Sequence, residues 1–434
     1  MAEPTNTPMP TAPPTPRSGS PVPPLPALGS VSVSVPQSLA SSPTTARRPQ
    51  WPHPHSRGAS LTVPVPVTTT ISGPPTSSGT TTTHTSTTKP VVLHIGDPVQ
   101  YNPETYVEFA EQFDVVRPSA AERTRPEFID ALRERRWGDF AAIFRPFWGS
   151  GGEMGAWDAE LIDLLPESVC VFASAGAGFD WADVKLLGEK GILYCNSGLA
   201  AGEAVADFAV ALIVGTFRAL PYCLSSARTP TKFQAAHEQA TALAHNLRGR
   251  VLGLVGFGTI GQGIAQRCAA GFGMAIAYYD VERKPNEIET TLHAQFYPSL
   301  EALIRAADCV VLCAPSGAGR IINSASLRWF KPGGRLVNVA RGALVDEDAL
   351  ADALEQDRLC GAALDVHFDE PNVSERLLQL ADSKVLLTCH NAGGTVETHV
   401  GFEELCMRNI MAVLSGGDAI TPVNLEWLGD AKTP

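Results

Sequence analysis

The chain has 434 residues, 44% hydrophobic and 18% charged, enough for two ordinary domains with normal cores and one further segment. A net charge of -12 argues against a nucleic-acid partner held through a basic face, and no apolar run is expected to reach the ~20 residues that cross a bilayer. Nine cysteines (170, 195, 223, 268, 309, 313, 360, 389, 406) show no CxxC and no paired histidines, which suits reduced, mostly buried thiols in a cytoplasmic protein without a bound metal.

Residues 1–90 differ in kind from the rest. They hold 20 of the 35 prolines, Ser/Thr runs such as Thr80 to Thr83, and six charges (Glu3, Arg17, Arg47, Arg48, Arg57, Lys89). Proline removes donors and fixes φ, and few large apolar residues offset the entropy of ordering, so a disordered tail is expected. Its Ser/Thr wealth resembles a transit peptide, but the proline density opposes the amphipathic helix such peptides form. Without it, 28 basic and 44 acidic residues remain, so the folded part carries about -16.

From Val91 the texture changes. Val91 to Ile95, Phe140 to Phe144 and Val169 to Ser174 read as short buried strands separated by stretches that can be helical, the pattern of a parallel, doubly wound α/β sheet. The strand Val251 to Val255 then runs into Gly256-Phe-Gly258-Thr259-Ile260-Gly261, with a helical stretch expected from Ile264 to near Gly271. Gly256 suits the tight turn, Gly258 the approach of a pyrophosphate, and Gly261 close helix–strand packing; the helix N-terminus offers free N–H groups to phosphates. Met274 to Tyr279 form the next strand and end in Asp280, 19 residues after Gly261. A carboxylate there can bind the adenosine ribose hydroxyls and repel a 2'-phosphate, which predicts NAD rather than NADP; the alternative is that Asp280 caps a turn. Arg283 and Lys284 just beyond it pull the other way.

Further strands are expected at Cys309 to Ala314, Arg335 to Val339, Ala362 to Val366 and Lys384 to Thr388. Ligands of open α/β sheets bind beyond the carboxyl ends of strands, so Ala314 and Val339 join Thr259 and Ile260 as expected cofactor contacts. Three polar residues stand in that zone: Arg341, Glu370 and His390, the last opening the turn His390-Asn-Ala-Gly-Gly394. Reduction of a 2-oxo acid needs a cation for the carboxylate and carbonyl, and a proton donor to the oxygen. Arginine offers a rigid donor fork, histidine titrates near neutrality, and a carboxylate beside it favours the protonated form. Each has a duller alternative: a surface ion pair for Arg341, a backbone-bonded loop residue for His390, a loop start for Glu370 before Pro371. His367, beside Asp365, is the rival histidine.

The stretches Gly176-Ala-Gly178-Phe-Asp180, the glycine turn, Asn338 to Asp346, Leu364 to Pro371, and His390 with its glycines resemble the D-isomer-specific 2-hydroxyacid dehydrogenase family over about 91–420. The resemblance implies a Rossmann NAD domain (201–394) and a smaller flavodoxin-like substrate domain (91–200, completed by 395–434), usually as a homodimer. It implies Arg341 for substrate, Glu370 and His390 as an acid–base pair, Asp365 near the nicotinamide carboxamide, and the N–H groups of Ala177 and Gly178 on the substrate carboxylate. Ala173 to Trp181 and Ala244 to Gly249 are most similar to the fungal D-mandelate dehydrogenases, which suggests a bulky or aromatic 2-oxo acid with Phe147, Trp148 and Trp181 as pocket walls; ordinary core aromatics are the alternative. Glu370 departs from the formate dehydrogenase branch, and Ser316-Gly-Ala-Gly-Arg320 departs from the family's usual stretch. Thr421 to Pro434 is too short for a regulatory domain. The competing expectations are a glyoxylate or hydroxypyruvate reductase, and an NAD-sensing corepressor-like scaffold using the Pro/Ser/Thr segment.

Overall fold

The computed structural model describes residues 89–147 and 149–429, so the expectations for the tail before residue 89 and for Trp148 lie outside the described residues. Two parallel sheets organise the chain. The first contains β1 (Val91–His94), β2 (Asp114–Val116), β3 (Ala142–Arg145), β4 (Val171–Ser174) and β5 (Leu193–Cys195) in the order β2-β1-β3-β4-β5. The second contains β6 (Val251–Val255), β7 (Ala275–Tyr279), β8 (Ala294–Phe296), β9 (Cys309–Leu312), β10 (Gly334–Asn338), β11 (Leu359–Leu364) and β12 (Val385–Leu387) in the order β12-β11-β10-β9-β6-β7-β8. These are the flavodoxin-like and Rossmann orders expected, the second with one extra strand. Strand order reverses beside β1 and beside β6, the kind of switch point where open α/β sheets bind ligands.

Strands β3, β4, β9 and β10 lie inside their sheets and are buried at every residue, which is why they are mainly apolar, with Arg145, Ser174, Arg335 and Asn338 as the polar exceptions. Three strands were not foreseen: β2, β5 and β8. Each is three residues long and lies at a sheet edge, where fewer apolar side chains are needed. The helix after the glycine turn also starts earlier than expected, spanning Thr259–Phe272 with Gly258 as its N-cap. Its early glycines are sites of contact: a Cβ on Gly261 would lie 2.5 Å from the Gly256 carbonyl oxygen.

One expectation is overturned. Gly198–Phe217 is a 20-residue helix apolar enough by length and composition to cross a bilayer. Here it is a core helix: Ala206, Ala209, Ile213 and Phe217 are fully buried in the cluster that covers β6, while Glu203 and Asp207 pair with Arg267 at 2.6 Å each. The later helix Val396–Leu414 packs Cys406, Met407 and Ile410 against Phe144, Val171 and Ala173 of the first sheet. Its buried Glu403 accepts the backbone N–H groups of Gln100, Tyr101 and Asn102 at 2.8–2.9 Å, satisfying donors at the start of helix Pro103–Gln112.

At the end of β1, His94 is buried with Nε2 2.8 Å from the Asp97 carbonyl oxygen. Burial pushes its pKa down to about 4, helped by Arg117 and Arg123 and only partly opposed by that carbonyl. The unfolded chain therefore binds the extra proton first. His94 contributes stability that is complete above about pH 6.5 and is lost as pH falls toward 4. A urea titration is expected to show a loss on the order of 2 kcal/mol between pH 7 and 5, and His94→Gln is expected to flatten that slope.

Candidate active site

The cofactor turn begins where β6 ends. Gly256 has φ +90°, and a Cβ there would lie 2.8 Å from the Cys313 carbonyl oxygen, so the turn requires glycine twice over. Gly258 faces open space, which leaves the helix N-terminus accessible to an anion. Asp280, at the end of β7, accepts the Phe257 N–H at 2.8 Å and pairs with Lys284 at 3.1 Å. Burial alone would raise its pKa, but these donors outweigh it and hold Asp280 below the usual carboxylate range. Asp280 thus fastens the glycine turn. An open glycine, free helical N–H groups and an ionised carboxylate one strand away fit a dinucleotide with unmodified ribose hydroxyls.

A cleft of about 470 Å³ lies beyond the strand ends, lined by Ala177, Gly178, Ile260, Val339, Arg341, Asp365, Glu370 and His390 among others. Arg341, after β10, donates from Nε to Asp180 Oδ1 at 3.0 Å and from Nη1 to the Ala340 carbonyl oxygen at 2.6 Å. Its Nη2 lies 1.2 Å from where a Cβ on residue 178 would stand, so the guanidinium occupies space that only a glycine leaves. The buried Asn338 holds this corner, donating to the Arg341 carbonyl oxygen and accepting from the Ala340 N–H.

His390 follows β12 with φ +52°, a left-handed conformation that costs a non-glycine residue on the order of 1 kcal/mol. The fully buried Asp365 fixes it there. Its backbone oxygen accepts the His390 N–H at 2.6 Å, Oδ1 accepts Thr388 Oγ1 at 2.6 Å and Asn391 N–H at 3.0 Å, and Oδ2 accepts Ala392 N–H at 2.9 Å. Glu370 then takes the His367 N–H on Oε1 and His390 Nδ1 on Oε2, both at 2.8 Å. The rival His367 is otherwise engaged, its Nε2 lying 2.8 Å from the Thr388 carbonyl oxygen. A carboxylate–imidazole pair and a guanidinium on the walls of one cleft can hold an acid group and move a proton.

The family model described as "D-isomer specific 2-hydroxyacid dehydrogenase, NAD binding domain" matches residues 210–392. The fold matches the holo D-mandelate dehydrogenase of Rhodotorula graminis with a TM-score of 0.74 and 41% identity, covering 77% of this chain and 98% of that one. In sequence the chain is 34% identical to 4-methyl-2-oxopentanoate reductase A of Aspergillus oryzae, over 69% of this chain and 88% of the relative. It is 37% identical to a glyoxylate reductase of Thermococcus gammatolerans, over 62% and 80%. The chain belongs to the D-isomer specific 2-hydroxyacid dehydrogenase family. It is an NAD-dependent oxidoreductase acting between 2-oxo and 2-hydroxy acids.

In this dehydrogenase the expected residues divide by position. Arg341, Glu370, His390, Asp365, Ala177, Gly178, Ile260 and Val339 line the cleft; Gly256, Gly258, Thr259, Gly261, Asp280 and Ala314 do not line it and lie instead in the glycine turn, at the start of its helix and just beyond β7 and β9. Trp181 lines the cleft. Phe147 does not, and its ring lies 4.9 Å from that of His399; Phe402 and Phe368 are the further aromatics there. The reading from sequence missed Arg145, a buried cleft residue that donates to the Gly151 carbonyl oxygen and Ser174 Oγ and lies 4.6 Å from the Trp181 ring centroid. Its signal was available: like Arg341, it stands at the carboxyl end of an apolar strand. Asp180 was visible only as part of a motif, and its pairing with Arg341 spans 161 residues.

Gly178→Ala places a methyl group on the Arg341 guanidinium. We expect kcat/KM for the 2-oxo acid to fall about 100-fold, the cost of displacing a positioning group by roughly 1 Å, with the Kd for NADH unchanged by calorimetry.

Proposed function

We propose that this dehydrogenase reduces a bulky 2-oxo acid to the D-2-hydroxy acid, with Arg341 holding the substrate, His390 delivering the proton and Glu370 orienting His390. The observation that carries this is the 2.8 Å contact between His390 Nδ1 and Glu370 Oε2 on the wall of the cleft that also holds Arg341. Bound NADH supplies the hydride. The turn 256–261 with Asp280, and Val339 and Asp365 beyond two strand ends, would hold it. The substrate carboxylate is received by the N–H groups of Ala177 and Gly178 and by Arg341 Nη2, whose other donors are directed to Asp180 and Ala340. With Nδ1 held by Glu370, the imidazole exchanges its proton with the carbonyl oxygen through Nε2.

Two features favour a large substituent. The cleft is roomy, about 470 Å³, and its lining carries Trp181, Phe402 and Val205. The Arg145 guanidinium packed against Trp181 stiffens that wall. A homodimer in a reducing, cytoplasmic environment is part of this reading; all nine cysteines are unbridged, and sedimentation is expected to give twice the chain mass.

Steady-state oxidation of NADH with phenylglyoxylate, 4-methyl-2-oxopentanoate and glyoxylate tests the proposal. We expect the two larger acids to exceed glyoxylate in kcat/KM, and His390→Ala to lower kcat by about 10²–10⁴-fold. Preference for glyoxylate would reassign the substrate class, and negligible turnover with all three acids would leave the scaffold reading.

A further inference from the structure

The two cations beyond β7 remain unexplained. Arg283 and Lys284 stand beside Asp280, where an arginine in a nucleotide-binding sheet ordinarily receives a 2'-phosphate. Each already has a carboxylate. Lys284 Nζ is 3.1 Å from Asp280 Oδ2. Arg283 is gripped twice by Glu289, Nε to Oε1 at 2.9 Å and Nη2 to Oε2 at 2.7 Å. Glu289 is buried and is held a second time by Tyr278, which donates its hydroxyl to Oε1 at 2.6 Å. That hydroxyl in turn accepts the Lys284 N–H at 2.9 Å. The Tyr278 ring stacks on Phe257 of the glycine turn with centroids 4.2 Å apart, so the chain of contacts runs from the cofactor turn to Arg283. Arg283 and Tyr278 hold the Glu289 carboxyl down to about 2, so it is ionised under all working conditions. Between residues 280 and 289 four carboxylates (Asp280, Glu282, Glu287, Glu289) face two cations, a local excess of negative charge that a 2'-phosphate would meet.

We propose that Glu289 is a specificity-determining residue for the cofactor: by holding Arg283 against helix Asn286–Leu292, it denies a 2'-phosphate its natural partner and keeps the enzyme selective for NAD(H). Asp280 repels the phosphate, and Glu289 withholds the arginine that would otherwise compensate. The proposal rests on the reading that Asp280 faces the adenosine ribose.

The test is calorimetric binding of NADH and NADPH to the full chain, which requires no knowledge of the substrate. Glu289→Gln keeps the side-chain shape but turns an amide donor toward Arg283. It is expected to raise NADPH affinity about tenfold, the scale of one charge-assisted hydrogen bond, with NADH little changed. Adding Arg283→Ala to that variant is expected to abolish the gain. Arg283→Ala alone is expected to leave both affinities as they are, and this arm stands even if Glu289→Gln folds poorly. A Glu289→Gln protein with an unaltered NADPH-to-NADH ratio overturns the proposal, as does weaker NADPH binding in Arg283→Ala alone. Asp280→Ala separates the two layers. If it binds NADH as tightly as the wild type, the ribose reading fails and takes the proposal with it. If it weakens NADH while Glu289→Gln leaves the ratio alone, only the role of Glu289 is lost.

Discussion

A buried carboxylate holds the chemical end of this enzyme together. Asp365 takes one side-chain hydroxyl and two backbone N–H groups on its two oxygens, and its own carbonyl takes a third N–H, all from the segment 388–392. A polar group this deep is costly unless its hydrogen-bonding capacity is filled, and here it is filled by the turn that presents His390. The left-handed backbone at His390 is tolerable because the surrounding bonds over-determine it. Asp365 therefore works as a fastener for the turn as well as a wall of the cleft, more than the family resemblance implied.

The other half of the site depends on steric room. Arg341 and Gly178 come from different sheets, and the guanidinium stands where any side chain at 178 would be. Asp180 then orients the arginine through Nε. The loop after β4 and the corner after β10 meet through these contacts, which a larger residue at 178 would obstruct. Asp280 plays a comparable double part at the end of β7, fastening Phe257 and pairing with Lys284.

Much of this was legible in the chain. Buried parallel strands read as apolar runs because both faces are covered, and glycines at fixed offsets announce the turn because the backbone there admits nothing larger. Edge strands β2, β5 and β8 escaped notice because three residues with mixed exposure leave no periodicity to detect. The helix Gly198–Phe217 shows the converse: a sequence apolar enough for lipid is here the packing surface of a core, and composition cannot distinguish the two solvents.

The linear chain by itself determined the two doubly wound sheets, the cofactor turn and the shortlist of Arg341, Glu370 and His390, because these rest on local rules of strand burial, glycine stereochemistry and strand-end placement. Only the tertiary structure joined His390 to Glu370 and His367 to the Thr388 carbonyl, left Phe147 off the cleft lining, brought in Arg145 and Asp180, and matched Arg283 to Glu289 and Lys284 to Asp280. Those outcomes turn on which donor reaches which acceptor across distant segments, and such distances exist only once the sheets have packed.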